Sequence, residues 1–208
     1  MKLVCLETGL MRSNSYLLIN EDENTAILVD CGGDGQEVVL AARQRGIIIA
    51  AVLLTHGHAD HIEGVARVVE EFGCSVYMHR YDADYPKRVE CNLSARIYLQ
   101  PKTYDFVPQI TEDGEQLDVA GFAVEVIHTP GHTMGSVCYR IGNILFTGDT
   151  LFRESVGNDF PPFGNLETEI ESIRERLFSL GEDLVCYPGH GDSTTLSHEM
   201  KNNMYCRM

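Results

Sequence analysis

A chain of 208 residues with 44% apolar side chains is long enough to bury a sizeable core, about 70% of its unfolded surface. Charged residues make up 23% and no low-complexity tract occurs, which excludes wholesale disorder; no run approaches ~18 consecutive apolar residues, so no membrane span is expected. Sixteen basic against thirty-one acidic side chains give a formal charge of −15, which disfavours a phosphate backbone and argues against a nucleic-acid partner.

The N-terminal Met1–Gly9 lacks the apolar region of a signal peptide and reads as a first strand, with apolar stretches at Lys2–Leu6, Tyr16–Ile19 and Ala26–Val29. A helix follows, with Asp34 as its expected N-cap and Gly46 beyond its last turn. Ala51–Leu54 is a short strand ending in Thr55-His56. A second helix is expected from about His61 to Phe72, where Ile62, Val65, Ala66 and Val69 share one face. Ser75–Met78 is another strand. From Arg80 to Ile110 no clean period exists, and this stretch reads as short helix and loop covering a site.

Strands dominate afterwards, at Phe122–Ile127, Ser136–Arg140 and Asn143–Phe146. A last helix is expected over Glu169–Leu180, with Thr168 and Glu171 as a capping box and Gly181 as its stop. Leu184–Tyr187 is the last strand, and the residues after His190 read as a polar tail. Residues 1–208 are expected to form one α/β domain. Seven cysteines, an odd number without a Cys-x-x-Cys pair, point to reduced thiols and a cytoplasmic setting.

Four strand ends present metal-ligand side chains: Thr55-His56-Gly57-His58-Ala59-Asp60-His61, Thr129-Pro130-Gly131-His132, Thr147-Gly148-Asp149 and Pro188-Gly189-His190-Gly191. Five of the eight histidines lie in them. His56 and His58, two residues apart in an extended segment, point to one side and can chelate one ion. Asp60 and His61 follow where the chain turns into a helix and can face a second. Imidazole and carboxylate suit zinc foremost, with iron or manganese as alternatives. Taken singly, Asp60 would be a helix N-cap, and His132, His190 and Asp149 ordinary turn residues. Folding needs alone do not explain four such groups within six residues together with three more at separate strand ends. His79, His128 and His198 are not expected to be ligands, and Cys31 is expected to be structural.

These residues resemble the metallo-β-lactamase superfamily, and the His-x-His-x-Asp-His pattern at 56–61 is highly specific for it. The resemblance runs from Asp30 to the turn at 188–191 and implies an αββα sandwich, two mixed sheets flanked by helices. It implies that His56, His58 and His132 hold one metal, that Asp60, His61 and His190 hold another, and that Asp149 bridges two divalent ions. Within the superfamily, the runs at 129–133, 147–152 and 187–191 resemble the glyoxalase II-like hydrolases, whose namesake hydrolyses the thioester S-lactoylglutathione. An aspartate at 149 argues against true β-lactamases. Only 18 residues follow His190, so the C-terminal glutathione-binding helical domain of the larger enzymes is not expected. Asn158 after Gly157 replaces an arginine that relatives often carry.

The expected activity is metal-dependent hydrolysis of a small anionic thioester through a hydroxide bridging two ions, with Asp60 both ligating and orienting it. A thiol with pKa near ~8.5 leaves without a general acid, which favours thioesters over amides. The main rival is a persulfide dioxygenase-like oxidoreductase with one iron on His56, His132 and Asp149; lactone hydrolysis is a nearer one. Arg12, Lys87, Arg88, Arg96, Lys102 and Arg153 are candidates to hold the substrate anion, and Tyr16, Phe152, Phe160 and Phe163 to line its pocket.

Overall fold

The computed structural model describes residues 1–160 and 163–208. A first sheet contains β1 (Lys2–Thr8), β2 (Ser13–Asn20), β3 (Thr25–Val29), β4 (Ile48–Leu53), β5 (Ser75–His79) and β6 (Gln109–Thr111) in that order. Its first three strands are antiparallel neighbours and the rest run parallel. The second sheet has the order β14 (Thr194–Thr195), β13 (Val185–Pro188), β10 (Ile144–Gly148), β9 (Val137–Ile141), β8 (Phe122–His128) and β7 (Gln116–Val119). It is also mixed, with β10 and β13 parallel. A two-residue ribbon, β11 (Leu151–Phe152) with β12 (Ser155–Val156), follows β10.

The period of two along each strand explains the layers. Tyr16, Leu18, Ile27, Val29 and Leu53 of the first sheet meet Val124, Val126, Val137, Tyr139 and Phe146 of the second in the central core. The alternate residues Leu17, Ile19, Leu28, Ile49 and Val52 face outward onto α1 (Gln36–Gln44), α2 (Ala59–Ile62) and α3 (Val65–Phe72). On the other side Ile127, Cys138, Leu145 and Cys186 face the segment 166–180, beginning with α6 (Leu166–Ser172), and Leu196 of α7 (Leu196–Asn202). Burial on both faces is why β2, β3 and β10 read as continuous apolar runs. The result is the expected helix–sheet–sheet–helix sandwich. No described helix is long and apolar enough to cross a membrane.

Several boundaries differ from the sequence reading. Asp34 does not cap α1: Gly35, at φ 76°, is the cap, and the Asp34 carboxylate accepts from the amide of Gln36, the first residue of the helix. The helix expected from His61 to Phe72 is two pieces, broken at Gly64. A Cβ there would lie 2.6 Å from both Cys31 Sγ and the Gly35 amide, so close packing against the start of α1 interrupts it. Asn165, not Thr168, caps α6, its side chain accepting from the Thr168 amide at 2.9 Å; Thr168 lies inside the helix, so no capping box forms at 168–171. The chain then widens through a π turn and tightens in a 3-10 turn to Leu180, and Gly181 (φ 69°) ends it as expected. The supposed polar tail contains α7, capped by Thr195, whose hydroxyl accepts from the His198 amide. The segment 80–110 holds short helical pieces, including α4 (Val89–Asn92) and α5 (Ser94–Ile97), as expected, but its last two residues begin the edge strand β6, which pairs with β5.

Candidate metal centre

All four ligand-bearing loops open at one end of the sandwich, two strands of which are stitched together there. The Val137 amide donates to the Thr55 carbonyl, and the Tyr139 hydroxyl to the Leu54 carbonyl, both at 2.9 Å. The Tyr16 hydroxyl and the Asn14 side chain both donate to the Pro188 carbonyl, fixing the turn that carries His190.

The structure brings together all seven residues singled out in the sequence. One cluster holds His56, His58 and His132, with His58 Nδ1 2.9 Å from His132 Nε2. Another holds Asp60, His61 and His190, with His190 Nε2 3.3 Å from both His61 Nε2 and Asp60 Oδ2. Asp149 lies between them: Oδ1 is 3.4 Å from His61 Nε2, and Oδ2 is 3.6 Å from both His132 Nε2 and His190 Nε2. Two donors each ~2.0–2.1 Å from one tetrahedral ion lie roughly 3.3 Å apart, so these spacings fit shared metal ions.

Hydrogen bonds around the site decide which imidazole nitrogens carry lone pairs. Thr55 gives its hydroxyl proton to Asp30 Oδ2 (2.7 Å), so at 3.0 Å it accepts from His56 Nδ1–H, and His56 Nε2 is left bare. His61 Nδ1–H donates to Asp30 Oδ2 at 2.9 Å, and His132 Nδ1–H to the Asn158 carbonyl at 2.8 Å. Each of these bonds points an Nε2 lone pair inward. His56 Nε2 and Asp149 Oδ1 are buried without a hydrogen-bond partner among the described residues. Orphaned acceptors of this kind are costly unless something cationic meets them, and divalent metal fits that need.

Electrostatics agree. Burial, reinforced by neighbouring imidazoles, lowers His56 and His58 well below the ordinary histidine range, which keeps them in the neutral ligating form. Burial alone would also lower His61, but Asp149, Asp60 and Asp30 outweigh it and raise it to about 10, a measure of how strongly the site attracts positive charge. Asp60 stays ionised despite burial because His61 and His190 stand beside it.

Three buried acids around the site escaped the sequence reading. Asp30 accepts from Thr55 and His61, so it orients rather than ligates. Asp82 accepts from three donors beside the first cluster and is pushed up by burial to about 7. Glu169 of α6, pushed by burial to about 9, accepts from the Gly157 amide next to Asn158. Their partners are 12 to 53 residues away along the chain, so no local pattern marks them.

A cavity of about 520 Å³ opens over both clusters. Met11, Leu93, Ile97, Phe152 and Phe160 give it an apolar wall, and Arg96 supplies a cation. The stretch 80–110 therefore contributes to the site as expected. Of the six basic candidates, Arg96 alone lines this cavity; Arg12, Lys87, Arg88, Lys102 and Arg153 pair with carboxylates. Phe152 and Phe160 line it, whereas Tyr16 packs in the central core and Phe163 lies against Tyr85 and Arg88. His79 stacks on His128 with ring centres 4.1 Å apart, His198 pairs with Glu154, and Cys31 is a buried free thiol; none of the four belongs to a ligand cluster among the described residues.

Comparison with known proteins shows the family to which this fold belongs. The hydroxyacylglutathione hydrolase GloC of Haemophilus influenzae is 31% identical over 192 residues, covering 90% of each chain. The crystal structure of BLEG-1 B3 metallo-beta-lactamase has a TM-score of 0.93 at 31% identity and covers 99% of each chain. The crystal structure of TTHA1623 in a di-iron-bound form has a TM-score of 0.83 at 32% identity, covering 99% of this chain and all of the other. The profile of the metallo-beta-lactamase superfamily matches residues 8–190, and the chain belongs to that superfamily.

Proposed function

We propose that this chain is a dinuclear metal-dependent hydrolase of small anionic thioesters, zinc being the first candidate metal and iron the second. The observation that carries this reading is the pair of ligand clusters with Asp149 between them, and with bare acceptor atoms buried beside an open cavity. Divalent ions bound there supply Lewis acidity toward a carbonyl oxygen and acidify water. His56, His58 and His132 form one ligand set, Asp60, His61 and His190 the other. Asp60, held ionised and facing the cavity, orients the attacking water. Arg96 holds the substrate anion. Its guanidinium lies 4.5 Å above the Phe160 ring, whose centre is 5.9 Å from that of His58, so the two are at most 10.4 Å apart.

Among the described residues the cavity lining offers no lysine, tyrosine or hydroxyl to protonate a departing amine. A thiolate needs no such donor, which favours a thioester, and the likeness to GloC supports that class. The reduced cysteines support a cytoplasmic setting. The likeness to BLEG-1 makes β-lactams the second substrate class to test.

The test combines elemental analysis with a substrate panel: S-lactoylglutathione and other acyl thioesters, a lactone, a chromogenic cephalosporin, and glutathione persulfide in an oxygen electrode. Two ions per chain with thiol release and no oxygen uptake is the expected result. One iron per chain with oxygen consumption would replace the hydrolase by an oxidoreductase.

A further inference from the structure

We propose that Asp82 is a positioning residue for the first ligand cluster, locking His58 and His132 at chelating distance by tying together loops from both sheets. The inference rests on the two-ion reading above. Asp82 lies just after β5, and its side chain is fully buried. Its Oδ2 accepts from the Gly57 amide (2.9 Å) and the Thr133 hydroxyl (2.7 Å), and its Oδ1 accepts from the Gly135 amide (2.9 Å). Gly57 is the link between His56 and His58, and Thr133 directly follows His132. A single carboxylate thus spans a loop that follows β4 in the first sheet and one that joins β8 to β9 in the second.

The surroundings leave those loops no slack. A Cβ at Gly57 would lie 2.5 Å from Tyr85 Cβ, and one at Gly135 would lie 2.5 Å from Asp82 Oδ1. The Thr133 hydroxyl and amide also bond Ser136 Oγ, at 2.8 and 3.0 Å, which fixes the rotamer that reaches Asp82. All three groups facing the carboxylate are donors. An amide in its place would have to turn its NH2 toward an N–H or lose a bond, whereas the carboxylate satisfies all three. Asp30 has the corresponding task on the other side, bonding His61 directly and His56 through Thr55. Asp82 makes no bond to Asp60, His61 or His190, so its removal loosens one metal site and spares the other.

The test uses Asp82→Asn, with Thr133→Val and Thr133→Ser as second and third variants in case the first fails to fold. Zinc affinity is measured by chelator competition, stoichiometry by elemental analysis, and ligand geometry by visible absorption of the cobalt-substituted protein. Wild type is expected to take two ions. Asp82→Asn and Thr133→Val should bind one of them ~10–100-fold more weakly, the usual effect of losing a partner that orients a ligand, with altered cobalt bands for that equivalent alone. Thr133→Ser, which keeps the hydroxyl, should restore wild-type affinity. In a His190→Ala background, which disables the second cluster, adding Asp82→Asn should weaken the remaining ion by the same factor. A folded Asp82→Asn or Thr133→Val protein holding two ions at wild-type affinity with unchanged bands overturns the role of Asp82 alone. A wild type that takes fewer than two ions overturns the two-ion reading and this inference with it.

Discussion

Replacing Gly189 with alanine adds one methyl group at the junction of the two ligand clusters. The backbone there does not have a positive φ, so alanine meets no conformational barrier and the effect is steric. Its Cβ would stand 2.1 Å from Asp149 Oδ1 and 2.7 Å from His61 Cε1. Ordinary carbon contacts begin near ~3.5 Å, so Asp149 has to retreat by on the order of 1 Å. Metal–ligand bonds tolerate only about 0.2 Å, and a retreat of that size removes the carboxylate from between the two sites. The overpacking itself costs ~1–3 kcal/mol. At ~2–4 °C per kcal/mol for a chain of this size, the metal-free variant should melt a few degrees below metal-free wild type. The assay is elemental analysis after equilibration with limiting zinc, beside thermal melts with and without metal. Gly191→Ala is the control. A Cβ at Gly191 touches nothing within 4 Å, but its φ is 74°, so alanine costs ~1–2 kcal/mol of backbone strain and should leave metal content intact. A Gly189→Ala protein that holds two ions as tightly as wild type would refute the placement of Asp149 between them.

Removing both ions with a chelator should lower Tm by roughly 15–30 °C when free zinc had exceeded Kd by ~1,000-fold, because each of the two sites then contributes ~4 kcal/mol; an unchanged Tm would remove metal from the folded state's stability. Arg96→Ala should raise KM about tenfold for thioesters bearing a carboxylate while leaving kcat and neutral esters unchanged, about 1.4 kcal/mol of lost binding; an equal loss on neutral esters would take Arg96 out of anion recognition. Glu169 keeps its proton up to about 9 in the fold, but in the unfolded chain it ionises above ~4.5. Between those values the folded state binds more protons, so stability falls as pH rises through this window. Glu169→Gln should remove that slope, and urea titrations of metal-free protein at pH 5.5 and 8.5 should show the variant gaining on wild type at the higher pH; parallel curves would contradict a neutral Glu169.

The ligand set was legible because chelation requires particular side chains within short reach, and His56, His58, Asp60 and His61 supply four of them on one loop. The sandwich was legible for a related reason: strands buried on both faces leave continuous apolar runs such as Leu17–Ile19 and Ile27–Val29. Helix starts were misread where two capping residues stood close together. Asn165 won over Thr168, and Gly35 over Asp34, because tertiary contacts set where the chain enters the layer. α7 escaped because Leu196 is its main apolar anchor and too little of it is apolar to show a period. Asp30, Asp82 and Glu169 look like any surface acid in the sequence. Only the fold shows that each sits among donors from distant loops.

The two sheets share the ligands between them. His56, His58, Asp60 and His61 belong to the first sheet's loops, while His132, Asp149 and His190 belong to the second's. Neither the His56–His58–His132 cluster nor the Asp60–His61–His190 cluster is complete within one sheet, so their chelating geometry exists only when the central core is closed. The bonds from Tyr139 to Leu54, Val137 to Thr55 and Tyr16 to Pro188 hold the strand ends in register at that seam. Ions bound across the seam would in turn hold the sheets together. Core packing and metal affinity are therefore linked: a cavity cut at Phe146 or Tyr139 should weaken metal binding from a distance, and bound metal should offset part of the stability such a cavity removes.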